Sequence, residues 1–162
     1  MSVDTEDAWR LLDNAAGWLR HAEAKLTAAL GFLGLLAAGL FAVVRIMEPS
    51  PCAFIAAALA SICLVVSGYY TVDGLLPRRA AVNNNDSTVF YAHIASRANA
   101  SRYLSDIDAP THDLRREVLR QVYNVSKVAD KKYDSCVNAY KWLVGASILT
   151  VALAALISID VL

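Results

Sequence analysis

Three stretches of this 162-residue chain contain no charged side chain: Leu26–Val44, Pro51–Val72 and Trp142–Ile159. Each is close to the roughly 20 apolar residues that a helix needs to cross about 30 Å of hydrocarbon. A backbone inside lipid finds no water, so such windows must satisfy their amides within their own helices. They are apolar all round, whereas a helix of a soluble bundle keeps a polar face. The hydrophobic share of 57% and the mean hydropathy of +0.41 are concentrated in these windows. The expected class is therefore all-α: a membrane protein with three transmembrane helices and a helical cytoplasmic part.

The Lys and Arg distribution sets the expected orientation. The long segment Pro77–Tyr140 holds ten basic residues, whereas Ile46–Ser50 holds none, and Lys/Arg-rich connections stay on the cytoplasmic side. Residues 1–25 then form a cytoplasmic amphipathic helix, 26–76 a transmembrane hairpin, 77–140 a cytoplasmic helical region and 141–162 the third span, with its end outside. Tyr69, Tyr70, Tyr140 and Trp142 fall where interfacial aromatics are expected. Asp4, Glu6, Asp7 and Asp13 precede the first window in place of a basic leader, so that window is expected to stay in the mature chain. Formal charge balances at zero, but residues 1–25 carry three basic and five acidic groups, against ten and seven in 77–140. Opposite balances favour docking of the two parts.

Trp9, Leu12, Ala16, Leu19 and Ala22 recur at helical spacing and lead directly into the first span. Glu48, Pro49, Ser50 and Pro51 predict a tight turn, since proline ends one helix and suits the first turn of the next. Asp86 or Ser87 is a candidate cap for a helix over about Thr88–Ala100. Leu114, Val118, Val122, Val125, Ala129 and Cys136 then form a stripe with no breaker, predicting one helix from about Thr111 through the third span. Small residues recur every four positions at Ala53, Ala57 and Ser61 and again at Ala146, Thr150, Ala154 and Ser158, which permits close helix approach within one chain or between chains.

No glycine-rich phosphate loop, nucleophile elbow or metal-binding helix motif is present in the sequence, and an enzyme is not expected. Cys52, Cys63 and Cys136 are not spaced as a disulfide or zinc set, and His21, His93 and His112 match no ligand motif; no cofactor is expected. What remains is charge and aromaticity beside the membrane. Arg20 and Glu23, and His21 and Lys25, are neighbours on a helix leading into the first span. They read either as headgroup anchors or as an anion site in which Arg20 and Lys25 supply charge and Glu23 accepts a hydrogen bond. Phe90, Tyr91 and His93 read either as packing residues or as a stacking surface with a donor beside it.

The stretches "LRHAEAKLTAALG", "VFYAHIA" and "DLRREVLRQVYNVSKVADKKY", in this order relative to three spans, resemble the small transmembrane effectors of the Pycsar bacterial antiphage systems. Glu23 stands where that family more often has aspartate, Leu26 where it has alanine, and Ala92 where it often has glycine. The resemblance implies a non-enzymatic effector in the cell inner membrane, functionally linked to a nucleotide cyclase. On the cytoplasmic side it would bind a cyclic pyrimidine mononucleotide, cUMP or cCMP, and then impair the membrane, arresting or killing the infected cell. It implies signature positions at Arg20, Glu23, Lys25, His93, Lys132 and Tyr133; with Phe90 and Tyr91 these form the candidate ligand site. Membrane lipid and further copies of the chain are the other expected partners, and nucleic acid is not. A constitutive scaffold, or a pore-forming toxin with no nucleotide ligand, are the competing expectations.

Overall fold

The structure is a computed structural model that describes residues 4–46, 50–77, 87–90, 94–109 and 112–160. Its elements are α1 (Thr5–Ile46), α2 (Pro51–Leu75), α3 (Ala100–Ile107) and α4 (Leu114–Asp160), with no strand among the described residues. Three of these helices, α1, α2 and α4, are long and apolar enough to cross a membrane. At 1.5 Å per residue α1 and α4 are each over about 60 Å long, twice the hydrocarbon thickness, so a large part of each lies outside it.

Local chemistry explains the boundaries. The Ser50 hydroxyl caps α2 by accepting from Ala53 N at 3.3 Å, and Pro51 opens the helix where its missing N–H costs nothing. α3 begins where Asn99 Oδ1 accepts from Arg102 N at 2.8 Å. This differs from the helix expected over Thr88–Ala100: Thr88–Phe90 are bends, and helical geometry at Ile94 and Ala95 gives way at Ser96–Asn99. Ser87 Oγ accepts from Val89 N and Phe90 N within these bends, and Asp86, the other expected cap, lies outside the described residues.

The buried faces follow a heptad rule. On α1, Ala8, Ala15, Ala22 and Ala29 are buried at seven-residue intervals, and Leu26 and Leu40 occupy a second series with Leu12, Leu19 and Leu33 half-buried. On α2 the two series are Ala57, Leu64, Thr71 and Ala60, Ser67, Gly74. On α4 they are Val118, Lys132, Ala139, Ala146, Leu153 and Ala129, Cys136, Leu143, Thr150. Alternating steps of three and four keep one seam facing its neighbours along a long helix. The seam departs from the spacing of four read in the sequence, and Ser61 accordingly lies on an exposed face. Trp9 is likewise displaced from the buried stripe by one position and is 43% exposed.

The chain divides into two compact units. In one, Met1–Arg20 with Pro77–Asp130, Ser87–Phe90 are tied to α4 and α3: Tyr103 Oη donates to Thr88 O at 3.1 Å, and Gln121 Nε2 lies 3.4 Å from Ser87 Oγ. Arg97 pairs with Asp106 at 2.9 Å. In the other, His21–Leu76 with Lys131–Leu162, a core of Leu40, Ala57, Ala60, Leu64, Ala146 and Leu153 joins the spans. Large apolar side chains such as Leu35, Phe41, Val65, Ile148 and Val151 point outward. An aqueous bundle would leave them as a costly apolar surface; lipid solvates them.

Among the glycines, Gly74 sits in the tightest helix contact. A methyl group added there would lie 2.6 Å from Leu26 Cδ1 and 3.1 Å from Ser135 Cβ, so α1, α2 and α4 meet where only hydrogen fits. Ser67 Oγ donates to Ala139 O at 2.9 Å, adding a hydrogen bond between α2 and α4.

Candidate functional site

The heptad seam of α4 contains one residue that does not belong in an apolar seam. Lys132 occupies the series Val118, Lys132, Ala139, Ala146, Leu153, and its side chain is 3% exposed. A lysine buried this far needs a partner, because desolvating an unpaired ammonium costs several kcal/mol. Glu23 of α1 is that partner: Oε1 lies 2.7 Å from Lys132 Nζ, with the carboxylate 45% exposed. A charged pair in an otherwise small-residue seam fixes the register of the two helices, the best-attested use of a buried polar group.

Two residues further along α1, Lys25 places its ammonium 5.4 Å from the centre of the Tyr133 ring. Its own carbonyl accepts from Tyr140 Oη at 3.2 Å, so the helix backbone is held as well as the side chain. These residues stand on an open groove of about 730 Å³, lined by Lys25, Tyr133, Cys136 and Tyr140 and continuing past Val137, Lys141 and Val144. That is the size range of small-ligand sites, roughly 300–1,000 Å³. Its lining combines two lysines and two tyrosines with Cys136 and two valines. Below the Glu23 pair, Ser135 Oγ lies 3.0 Å from Asp73 Oδ2 and 3.1 Å from Lys131 O. The hydroxyl has one proton, and the carboxylate is the stronger acceptor.

Of the residues expected at the site, Glu23, Lys25, Lys132 and Tyr133 are thus brought together in one unit. Arg20 belongs to the other unit, where it lies 3.5 Å from Asp13 with both side chains mostly exposed. Phe90 is half-buried in that same unit, while Tyr91 and His93 lie outside the described residues. Tyr140, Lys141 and Cys136 were not singled out by sequence as ligand contacts. Their signal was spacing: Tyr133, Cys136, Tyr140 and Val144 fall three or four apart, as do Val137, Lys141 and Val144.

A second polar cluster also escaped the sequence. Thr88, 5% exposed, donates its hydroxyl to Glu117 Oε2 and lies 2.8 Å from His112 Nε2. With that proton committed, Thr88 Oγ1 accepts from His112, which fixes the proton on Nε2. Both Glu117 oxygens also accept from Thr88 N. These residues are 24 and 29 positions apart, a separation at which no local pattern exists. Among the described residues no three His, Cys, Asp or Glu gather as a metal site.

Three apolar helices, a charge-fixed seam and a basic groove define a multi-pass α-helical membrane protein with a candidate anion site. The chain belongs to the Pycsar effector family: the profile of the Pycsar effector protein domain matches residues 7–159. It is similar to the Pycsar effector protein PtPycTM of Propioniciclava tarda, with 31% identity over 139 residues, covering 81% of this chain and 69% of the relative. No solved structure matches it.

Proposed function

We propose that this protein is an antiphage effector that binds a cyclic pyrimidine mononucleotide, cUMP or cCMP, and then impairs the inner membrane of the infected cell. Residues 1–25 and 77–140 are cytoplasmic, the protein acts as a homo-oligomer, and it catalyses no reaction; a separate cyclase supplies the ligand. Family membership supports the antiphage role, and the basic 77–140 segment supports the orientation.

The observation that carries ligand binding is the meeting of Lys25 and Tyr133 on an open groove. A cyclic mononucleotide has one negative charge, a ribose hydroxyl and a flat base. Lys25 offers a charge-assisted hydrogen bond to the phosphate, Tyr133 an aromatic face, and the half-exposed Glu23 a free lone pair for the ribose. Glu23 is also the anchor of Lys132, so a ligand that draws on its carboxylate weakens the pair that registers α1 against α4. Changing a 1:99 equilibrium to 99:1 requires a preference of about 5.5 kcal/mol for the active state, within reach of several charge-assisted bonds made in that state alone.

The test is calorimetric titration of the full-length protein in detergent with cUMP, cCMP, cAMP and cGMP. Saturable binding of a pyrimidine form, lost in Lys25→Ala, is the expected result. Binding of none, by folded protein, would return the account to a scaffold or an unliganded pore.

A further inference from the structure

The nucleotide reading uses only part of the groove. Beyond Lys25 and Tyr133 the lining becomes Val137, Tyr140, Lys141 and Val144, and the apolar window of α4 starts at Trp142. The groove therefore runs along one face of α4 from a charged, aromatic level into the span. Lysine and tyrosine at a span's border lie at headgroup depth, and a valine one turn further lies against acyl chains. A small polar anion would leave the valine end of the groove unfilled by anything matching it. An amphiphile fills both ends.

We infer that an anionic phospholipid occupies this groove, with its phosphate held by Lys25 and Lys141 and one acyl chain running past Val144 into the span. Basic pockets between spanning helices bind such headgroups. Two ammonium groups select a net negative headgroup over a zwitterionic one, whose own cation offsets the phosphate. The Tyr133 ring holds the Lys25 ammonium in the groove instead of letting it extend to bulk water, and both faces of that interaction stay beside the lipid. The site shares Lys25 with the proposed nucleotide site but does not rest on that reading: a protein that binds no nucleotide would still hold the lipid.

The test measures lipid retention with no nucleotide present. Full-length protein is purified in micelles containing phosphatidylglycerol and phosphatidylcholine in equal amounts, and retained lipids are counted by native mass spectrometry. Preferential retention of phosphatidylglycerol, reduced roughly thirtyfold in Lys25→Gln/Lys141→Gln and roughly fivefold in Lys141→Gln alone, is expected from lysines each contributing about 1 kcal/mol near a headgroup. Both lysines are exposed, so the variants keep the fold, which circular dichroism checks. Equal retention of the two lipids, or retention unchanged in the double variant, would overturn the proposal. So would displacement of the lipid by inorganic phosphate, which would mark a site for a free anion.

Discussion

Two polar clusters hold this protein together, one in each unit, and they differ in what surrounds them. Thr88, His112 and Glu117 form a closed set: every hydroxyl, imidazole and carboxylate in it is turned toward another member. In the other unit stand two more open pairs, Glu23 with Lys132, the carboxylate half-exposed, and Lys25 with Tyr133, both lining a groove. A closed set has spent its hydrogen-bonding capacity on anchoring a segment. The open pairs leave hydrogen-bonding capacity unused while Glu23 and Lys132 join α1 to α4, and the proposed function would link ligand occupancy to helix packing.

The sharpest way to break that contrast is to orphan Lys132. Glu23→Ala should destabilise the protein by up to about 3 kcal/mol, seen as a lower unfolding midpoint in detergent, because the ammonium stays buried without its partner. Adding Lys132→Met should recover most of that loss, since an apolar residue fits the seam, while ligand response should remain absent. Recovery of both would make the pair purely structural. Next in size, Gly74→Ala should cost about 1–3 kcal/mol, because the new methyl meets Leu26 and Ser135 in the packed seam.

Thr88→Val should cost about 1–3 kcal/mol by leaving Glu117 and His112 without their shared hydroxyl. Hydrogen exchange should quicken around residues 87–90, with ligand affinity unchanged; lost affinity would move the functional site to that cluster. The smallest effect belongs to Arg20→Gln. Its pair with Asp13 is surface-exposed, and such pairs contribute little. An unchanged unfolding midpoint is expected, and lost nucleotide binding would show that Arg20 contributes to the ligand site.

The three spans were legible because charge-free windows are local signals, and so was the start of α2 at Ser50 and Pro51; Glu48 and Pro49 of the expected turn lie outside the described residues. α4 was legible too, as an apolar stripe with no breaker. α3 was missed because Asn99 was read as the interior of a helix, although an asparagine three residues before Arg102 can equally open one. The stripe on α1 was placed near Trp9, whereas alanine at every seventh position marks the buried face; a large ring is a poor fit to so close a seam. Lys132 entered through family resemblance, and its physical signal, a charge on the heptad series of Val118 and Ala139, became visible only once the seam was known. Contacts such as Thr88 to Glu117 depend on the fold bringing distant segments together, and no spacing rule anticipates them.

The most direct test of the central claim is dye release from proteoliposomes containing the full-length protein, wild type or Lys25→Gln, with and without cUMP or cCMP. Release is expected only with nucleotide and only from wild type, with both proteins inserted equally. Release without nucleotide, or an equal nucleotide response from Lys25→Gln, would contradict it.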